Sequence, residues 1–268
     1  MKKSILKTIK EIIEKRPIYM SYIDSTVYSM DEIVKISKSI EHSYADMVAV
    51  GGILNVDTNY MNQVIKRIKE NTSRPVLILP GNAGMISKYA DAILFTSLLN
   101  SRNPYWITGA QAISAPFVHY LGLEVIPTSY VVIEPGSTSS WIGDANPIPR
   151  NKLEIMKSYA IYSELSGKEI ICIDTGMVDS KVPEEVIRTV KKNVSIPVAF
   201  YGRVKSMKDL NKLSRAGADI IITSTIFKRH QNKLKIEELI NLVRKRVNKP
   251  KRKTTVITKA KNKKQNKK

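Results

Sequence analysis

The chain has 268 residues, a formal net charge of +20 and one cysteine, Cys172. The length suits a single (β/α) barrel of about 250 residues. One cysteine excludes an intramolecular disulfide framework and fits a reducing cytosol, and no apolar run reaches the roughly 18 residues that a membrane span needs.

The charge is unevenly placed. Residues 244–268 carry 13 Lys or Arg and no Asp or Glu. The segment KPKRKTTVITKAKNKKQNKK (249–268) has no aromatic residue and little apolar periodicity, so it cannot offset the entropy of ordering. We read it as a basic disordered tail after a barrel domain at 1–248. Such a tail attracts polyanions, either nucleic acid or an anionic membrane surface, or serves only to keep the protein in solution.

From the N-terminus, MKKSILKTIKEIIEKRP places Ile5, Ile9, Ile12 and Ile13 at helical spacing. Glu11, Glu14 and interleaved lysines break any export h-region, which predicts a surface helix. Short β-rich runs then recur at Ile18–Ile23, Met47–Val50, Val76–Leu79, Ala92–Phe95, Val125–Ile133, Ile170–Ile173, Val198–Tyr201 and Ile220–Thr223. Helical periods lie between them at Ile33/Ile36/Ile40, at Met61/Val64/Ile65/Ile68 and at Val186/Ile187/Val190 behind Pro183. A further period at Ile236/Leu239/Ile240/Val243 predicts a last helix.

Eight strands alternating with helices predict an α/β fold, a closed parallel TIM (β/α)8 barrel. An open doubly wound sheet is the alternative, disfavoured by the count and by the absence of a GxGxxG turn after the first strand. The connection between Leu79 and Asp91, PGNAGMISKYA, is too short and too rich in Gly and Pro for a covering helix. The barrel is therefore modified, with one outer helix missing or replaced after strand 3. The exposed apolar slot could accept a long hydrophobic ligand, or be covered by another segment or a second subunit.

In this architecture the site is built at the C-terminal ends of the strands, with phosphate commonly held after strands seven and eight. Asp24 is the best single carboxylate for a hard cation, since Mg²⁺ takes one or two carboxylates plus phosphate oxygens and water. An Asp before Ser25-Thr26 is equally a turn cap. Asp174 could act as a general base or merely cap the loop after its strand. Gly51-Gly52 permits close backbone approach or makes an ordinary turn. Glu134, in Glu134-Pro135-Gly136, should find a cation or a hydroxyl partner, and Tyr130 on the same strand can supply a phenol. His42, His119 and His230 lack ligand spacing, so zinc is not expected.

Several strings resemble the geranylgeranylglyceryl phosphate synthase family, the archaeal prenyltransferases that make the first ether bond of membrane lipids, and its larger, oligomeric branch in particular. They are RPVLILPGN (74–82), YADAILFTSLLNSRNPYWITGAQ (89–111), Tyr130 with VVIEPG (131–136), WIGDANPIPRN (141–151) and RAGADIIITST (215–225). The resemblance implies a cytoplasmic enzyme that could be membrane-peripheral, and a homo-oligomer. It implies that Mg²⁺ holds the diphosphate of a polyprenyl donor, with the prenyl chain in the slot left by the missing helix. The C3 hydroxyl of sn-glycerol 1-phosphate would attack the allylic carbon as diphosphate leaves.

Carried over by position, Asp24 matches the metal aspartate, succeeded here by Ser25 rather than Pro. The second metal position is Ile53, which cannot ligate Mg²⁺. The family's Tyr-Leu-Glu-Ala-Gly-Ser-Gly loop, which binds the acceptor, is Cys172-Ile173-Asp174-Thr175-Gly176-Met177-Val178. Its tyrosine has become Cys172. Its glutamate, which the resemblance makes the catalytic carboxylate, has become Asp174, and a ~1 Å misplacement can cost on the order of a hundredfold in rate. The Gly-Gly-Gly run is Tyr201-Gly202-Arg203, the Gly-Thr pair is Ser224-Thr225, and an acid often found shortly after that pair is Lys228. Arg203, Thr225 and Lys228 could rebuild the phosphate site, or the substitutions could leave a non-catalytic binding or partner protein.

Overall fold

The structure, a computed structural model, describes residues 4–43, 45–52, 56–178 and 180–224. Eight parallel strands close into a barrel in sequence order, with the last pairing with the first. They are β1 (Ile18–Asp24), β2 (Met47–Gly51), β3 (Val76–Ile78), β4 (Ala92–Leu98), β5 (Glu124–Val132), β6 (Ile170–Asp174), β7 (Val198–Tyr201) and β8 (Ile220–Thr223). All eight predicted runs are present, displaced at their ends by no more than a few residues. The open-sheet alternative is excluded by the β1–β8 pairing.

Strand alternation sorts the core into two shells. One set of side chains fills the barrel interior, including Met20, Met47, Leu77, Ile126 and Ile222. The other packs outward against the helices, including Ile23, Val48, Ile78, Val131, Ile173 and Phe200. The helices are α1 (Ile5–Ile13), α2 (Met30–Glu41), α3 (Thr58–Asn71), α4 (Ala110–Tyr120), α5 (Thr138–Ile142), α6 (Leu153–Leu165), α7 (Glu184–Asn193) and α8 (Met207–Ala216). The predicted helix around Ile236–Val243 and the tail at 249–268 lie outside the described residues.

No helix joins β3 to β4. Residues 79–91 form turns that bury Met85 and Ile86 but leave the outer face of that corner thinly covered. A π-helical turn at Tyr105–Gly109 leads into α4 on the far side of the gap. The open corner is the direct consequence of the short glycine-containing connection.

Three strands begin behind an aspartate that the strand patterns did not single out. Asp46, Asp91 and Asp219 accept backbone N–H bonds from Tyr19, Val76 and Val198 of the preceding strands, at 3.0, 2.8 and 2.9 Å. Each is also paired with a cation, Arg16, Lys69 and Lys191 respectively. These carboxylates fix register at the N-terminal end of the barrel, away from the site.

The N-terminal helix differs from a simple surface helix. Ile5 and Ile9 of α1 are buried with the interior cluster, so α1 stoppers the N-terminal end of the barrel. Glu124 holds it there, accepting from Ser4 Oγ at 2.7 Å and from the N–H groups of Ile5 and Leu6 at 2.8 and 2.9 Å. A carboxylate at a helix N-terminus satisfies orphan donors and the dipole together. Glu124→Ala should therefore cost about 2 kcal/mol. In a thermal melt that is a drop of roughly 4–8 °C for a chain of this size. An unchanged melt would show that α1 is held by Ile5 and Ile9 alone.

Candidate active-site groove

A groove opens at the C-terminal end of the barrel and runs over its rim. Its mouth is lined by Tyr22, Asp24, Tyr130 and Tyr201, on β1, β5 and β7. It passes between the 79–86 loop and α4, where Ile86, Ile93, Phe95 and Ala110 make it apolar. Ile93 and Phe95 face outward on β4. The absent helix after β3 is what opens this path.

Asp24 ends β1 on the groove wall, half-buried. Its Oδ1 accepts from Thr26 N–H at 3.0 Å and Thr26 Oγ at 2.7 Å, so it also makes the turn cap that its sequence context allows. Among the described residues there is no group of three or more His, Cys, Asp or Glu side chains able to hold a metal. A lone carboxylate facing a polar cavity fits an ion bound mainly by ligand phosphate oxygens and water, as Mg²⁺ prefers. Ile53 lies outside the described residues, as do Thr225 and Lys228.

Asp174 ends β6 but is fully buried, with 0% of its surface exposed, and does not line the groove. Its Oδ2 accepts from Ser137 Oγ at 2.8 Å, its Oδ1 accepts the Gly176 N–H, and Tyr130 hydrogen-bonds to the same carboxylate. Burial raises its pKa to about 6 against the opposing pull of these three donors. Tyr130 is raised well above the ordinary phenol value, first by burial and then by the Asp174 charge. The carboxylate thus meets the groove through two hydroxyls, those of Tyr130 and Ser137.

The remaining residues of that loop divide by depth. Cys172, Ile173 and Thr175 are buried, and burial pushes the Cys172 thiol well up, so it offers no thiolate to the groove. Gly176 and Met177 line the groove, while Val178 is exposed. Gly176 has φ +69°, and a Cβ there would stand 2.8 Å from Ser137 Cβ, so the close approach of the β6 loop to α5 requires glycine.

Gly202 is tighter still, since an added Cβ would clash with Thr175 Oγ1 and with the Phe200 ring. Its N–H donates to Ile222 O at 3.2 Å and is engaged within the fold. Arg203 is half-buried, and its Nε is buried with no partner among the described residues. Ser224 Oγ lies 3.8 Å from Met177 Sδ, which brings the loops after β6 and β8 together. Glu134 is exposed outside the groove, its carboxylate accepting the Arg150 N–H at 3.3 Å.

Tyr22, Ser137 and Arg150 are not singled out by the sequence, and Tyr201 enters it only as the position of a family glycine. Inward alternation on β1 and β7 points to the two tyrosines, because Tyr22 precedes Asp24 by two and Tyr201 abuts Gly202. Ser137 and Arg150 act across loops distant in sequence and carry no local signature. The Arg150 guanidinium donates to Glu134 O at 2.7 Å, to Ser180 Oγ at 3.0 Å and to Lys181 O. It clamps the loop after β5 to the one after β6. Arg150→Ala should free these two loops from each other, read as faster amide exchange at Gly136, Ser137 and Gly176 with little change in the melt. Exchange that rises across the whole barrel would mean general unfolding instead.

Together the fold and the site define a (β/α)8 barrel with a groove crossing its rim, a carboxylate at the mouth and a buried carboxyl behind a phenol. The chain belongs to the PcrB family, which matches residues 10–243. It is 40% identical over 237 residues to geranylgeranylglyceryl phosphate synthase of Methanosphaera stadtmanae, covering 88% of this chain and 97% of that one. It is 43% identical over 218 residues to the Pyrococcus furiosus enzyme of the same name, covering 81% and 87%. Among solved structures it resembles (S)-3-O-geranylgeranylglyceryl phosphate synthase from Thermoplasma acidophilum in complex with sn-glycerol-1-phosphate. That likeness has a TM-score of 0.86 at 31% identity, over 91% of this chain and 100% of the other.

Proposed function

We propose that this protein transfers a geranylgeranyl group from its diphosphate to the C3 hydroxyl of sn-glycerol 1-phosphate, with Mg²⁺ as cofactor. The observation that carries the reading is the apolar groove crossing the rim at the missing helix, with Asp24 at its mouth. A long prenyl chain fits that path, and the diphosphate then falls beside Asp24. The activity of the relatives and the acceptor bound by the Thermoplasma acidophilum enzyme support the same chemistry.

Asp24 would hold Mg²⁺, which when bound supplies electrostatic stabilisation of the charge developing on the diphosphate. In the transfer the allylic C–O bond to diphosphate breaks and a new C–O bond forms to the acceptor oxygen. The acceptor proton passes to the Tyr130 oxygen as the Tyr130 proton moves to Asp174, so the phenol touches the substrate and the carboxylate ends as the neutral acid. The apolar groove walls exclude water from the allylic carbon.

A second reading is a family member that retains the donor groove without efficient transfer. It draws support from Gly176 and Gly202, whose N–H groups are spent on Asp174 and Ile222 rather than left free for a phosphate. The acceptor phosphate then depends on Arg203 and the loop after β8. No helix among the described residues is long and apolar enough to cross a membrane. The basic segment 249–268 would add attraction to anionic lipid, at ~1 kcal/mol per Lys or Arg near the surface.

The experiment is transfer by the full chain with Mg²⁺, labelled geranylgeranyl diphosphate and sn-glycerol 1-phosphate. Labelled ether product extracted into solvent, and lost on chelation, is the expected result. Saturable donor binding with no product would overturn transfer and favour the second reading.

A further inference from the structure

We infer that Tyr201 is a specificity-determining residue that hydrogen-bonds the C2 hydroxyl of the acceptor, an assignment that rests on the transfer reading above. Tyr201 lines the groove mouth on β7 and is the register partner of Asp174 on β6. Two residues further along lies Arg203, whose buried Nε lacks a partner among the described residues. Barrels of this kind hold phosphate at this end of strands seven and eight.

An acceptor with its phosphate at Arg203 and its reacting hydroxyl at Tyr130 and Asp174 lays its middle carbon across Tyr201. Tyr201 stands one strand from Asp174, ~4.8 Å away, and two residues before Arg203, ~6.6 Å along an extended chain, so it lies between the two ends of an acceptor held in this way. The part of the acceptor that faces Tyr201 is therefore the C2 hydroxyl.

The phenol is suited to that contact. Its ring stands edge-on to Tyr22 with centroids 5.1 Å apart and lies 6.3 Å from the Tyr130 ring, which fixes its direction. Tyr22 and Tyr201 share a hydrogen bond. A phenol carries one donor and acceptor lone pairs, so whichever way that bond runs, the Tyr201 oxygen retains a donor or an acceptor for a ligand hydroxyl. The neighbouring inward position on β6, Cys172, is buried and too short to reach the groove. Tyr201 thus presents a hydroxyl to the groove beside Asp174.

A tyrosine that only fills space there would behave like phenylalanine. A site built to bond a ligand hydroxyl rejects the analogue that lacks it, and loses that preference when its own hydroxyl is removed. The test compares the full-length protein with Tyr201→Phe, which keeps the ring and removes one oxygen. Binding of sn-glycerol 1-phosphate and of 3-hydroxypropyl phosphate, which lacks the C2 hydroxyl, is measured by calorimetry with inorganic diphosphate, which cannot react, in place of the donor.

The wild-type protein should prefer sn-glycerol 1-phosphate by ~10-fold or more, and Tyr201→Phe should bring the two ligands within ~2-fold. Affinity for 3-hydroxypropyl phosphate and for the donor should not change. A preference kept by Tyr201→Phe, or absent from the wild type, overturns the assignment. Transfer is scored separately: a wild type that binds with preference but makes no product retains the Tyr201 contact and loses the transferase reading.

Discussion

Asp174→Asn should lower turnover on the order of a hundredfold or more while making the protein more stable at neutral pH. The two effects share one cause. Asp174 is fully buried, and its pKa is raised from 3.8 to about 6. A carboxyl whose folded pKa is raised contributes most below its unfolded value and loses that contribution as pH rises through the folded value. Stability should therefore fall from about pH 4 to pH 6 and level off above, a loss of about 3 kcal/mol from this group.

Asparagine fits the same cage, its oxygen accepting the Gly176 N–H and its amide donating to Ser137 or Tyr130. It escapes the ionisation cost and so should melt higher than the wild type at pH 7.5, but no higher near pH 4. Activity runs the other way. The base form grows as pH rises through about 6, so wild-type kcat should climb across that range and then plateau. Asp174→Asn should show a flat, low profile. A variant that melts lower and retains the inflection near 6 would remove Asp174 from the reaction.

Asp24→Ala should reduce turnover on the order of 10²–10³-fold, the scale on which single charge-stabilising groups act. Its hydrogen bonds to Thr26 are local, so the melt should move little. Donor affinity should fall in the presence of Mg²⁺ and differ little from wild type in chelator, since on the transfer reading the charge acts through the ion. Full activity of Asp24→Ala would place the metal elsewhere.

The barrel was legible because its strands are buried on both faces and read as short apolar runs between helical periods. The missing helix was legible from one short connection, Leu79–Asp91. Depth was not legible. Asp174 ends a strand just as Asp24 does, yet one is sealed beneath Tyr130 and Ser137 while the other lines the groove.

That difference comes from α5 and the Gly176 turn, a contact between loops 37 residues apart that no local pattern encodes. Glu134 misleads for a related reason. It sits at a strand end but turns outward to Arg150, across a separation of 16 residues. Tyr22 and Tyr201 lie inside the runs Ile18–Ile23 and Val198–Tyr201, where inward alternation points to both.

The rim-crossing groove should hold the prenyl chain, and Trp106 is placed to report on it directly. Trp106 lines the groove, whereas Trp141, the other tryptophan, is 86% exposed. In a Trp141→Phe protein, titration with geranylgeranyl diphosphate and Mg²⁺ should change Trp106 emission saturably, and inorganic diphosphate alone should not. Donor binding seen by calorimetry while Trp106 stays silent would place the prenyl chain elsewhere.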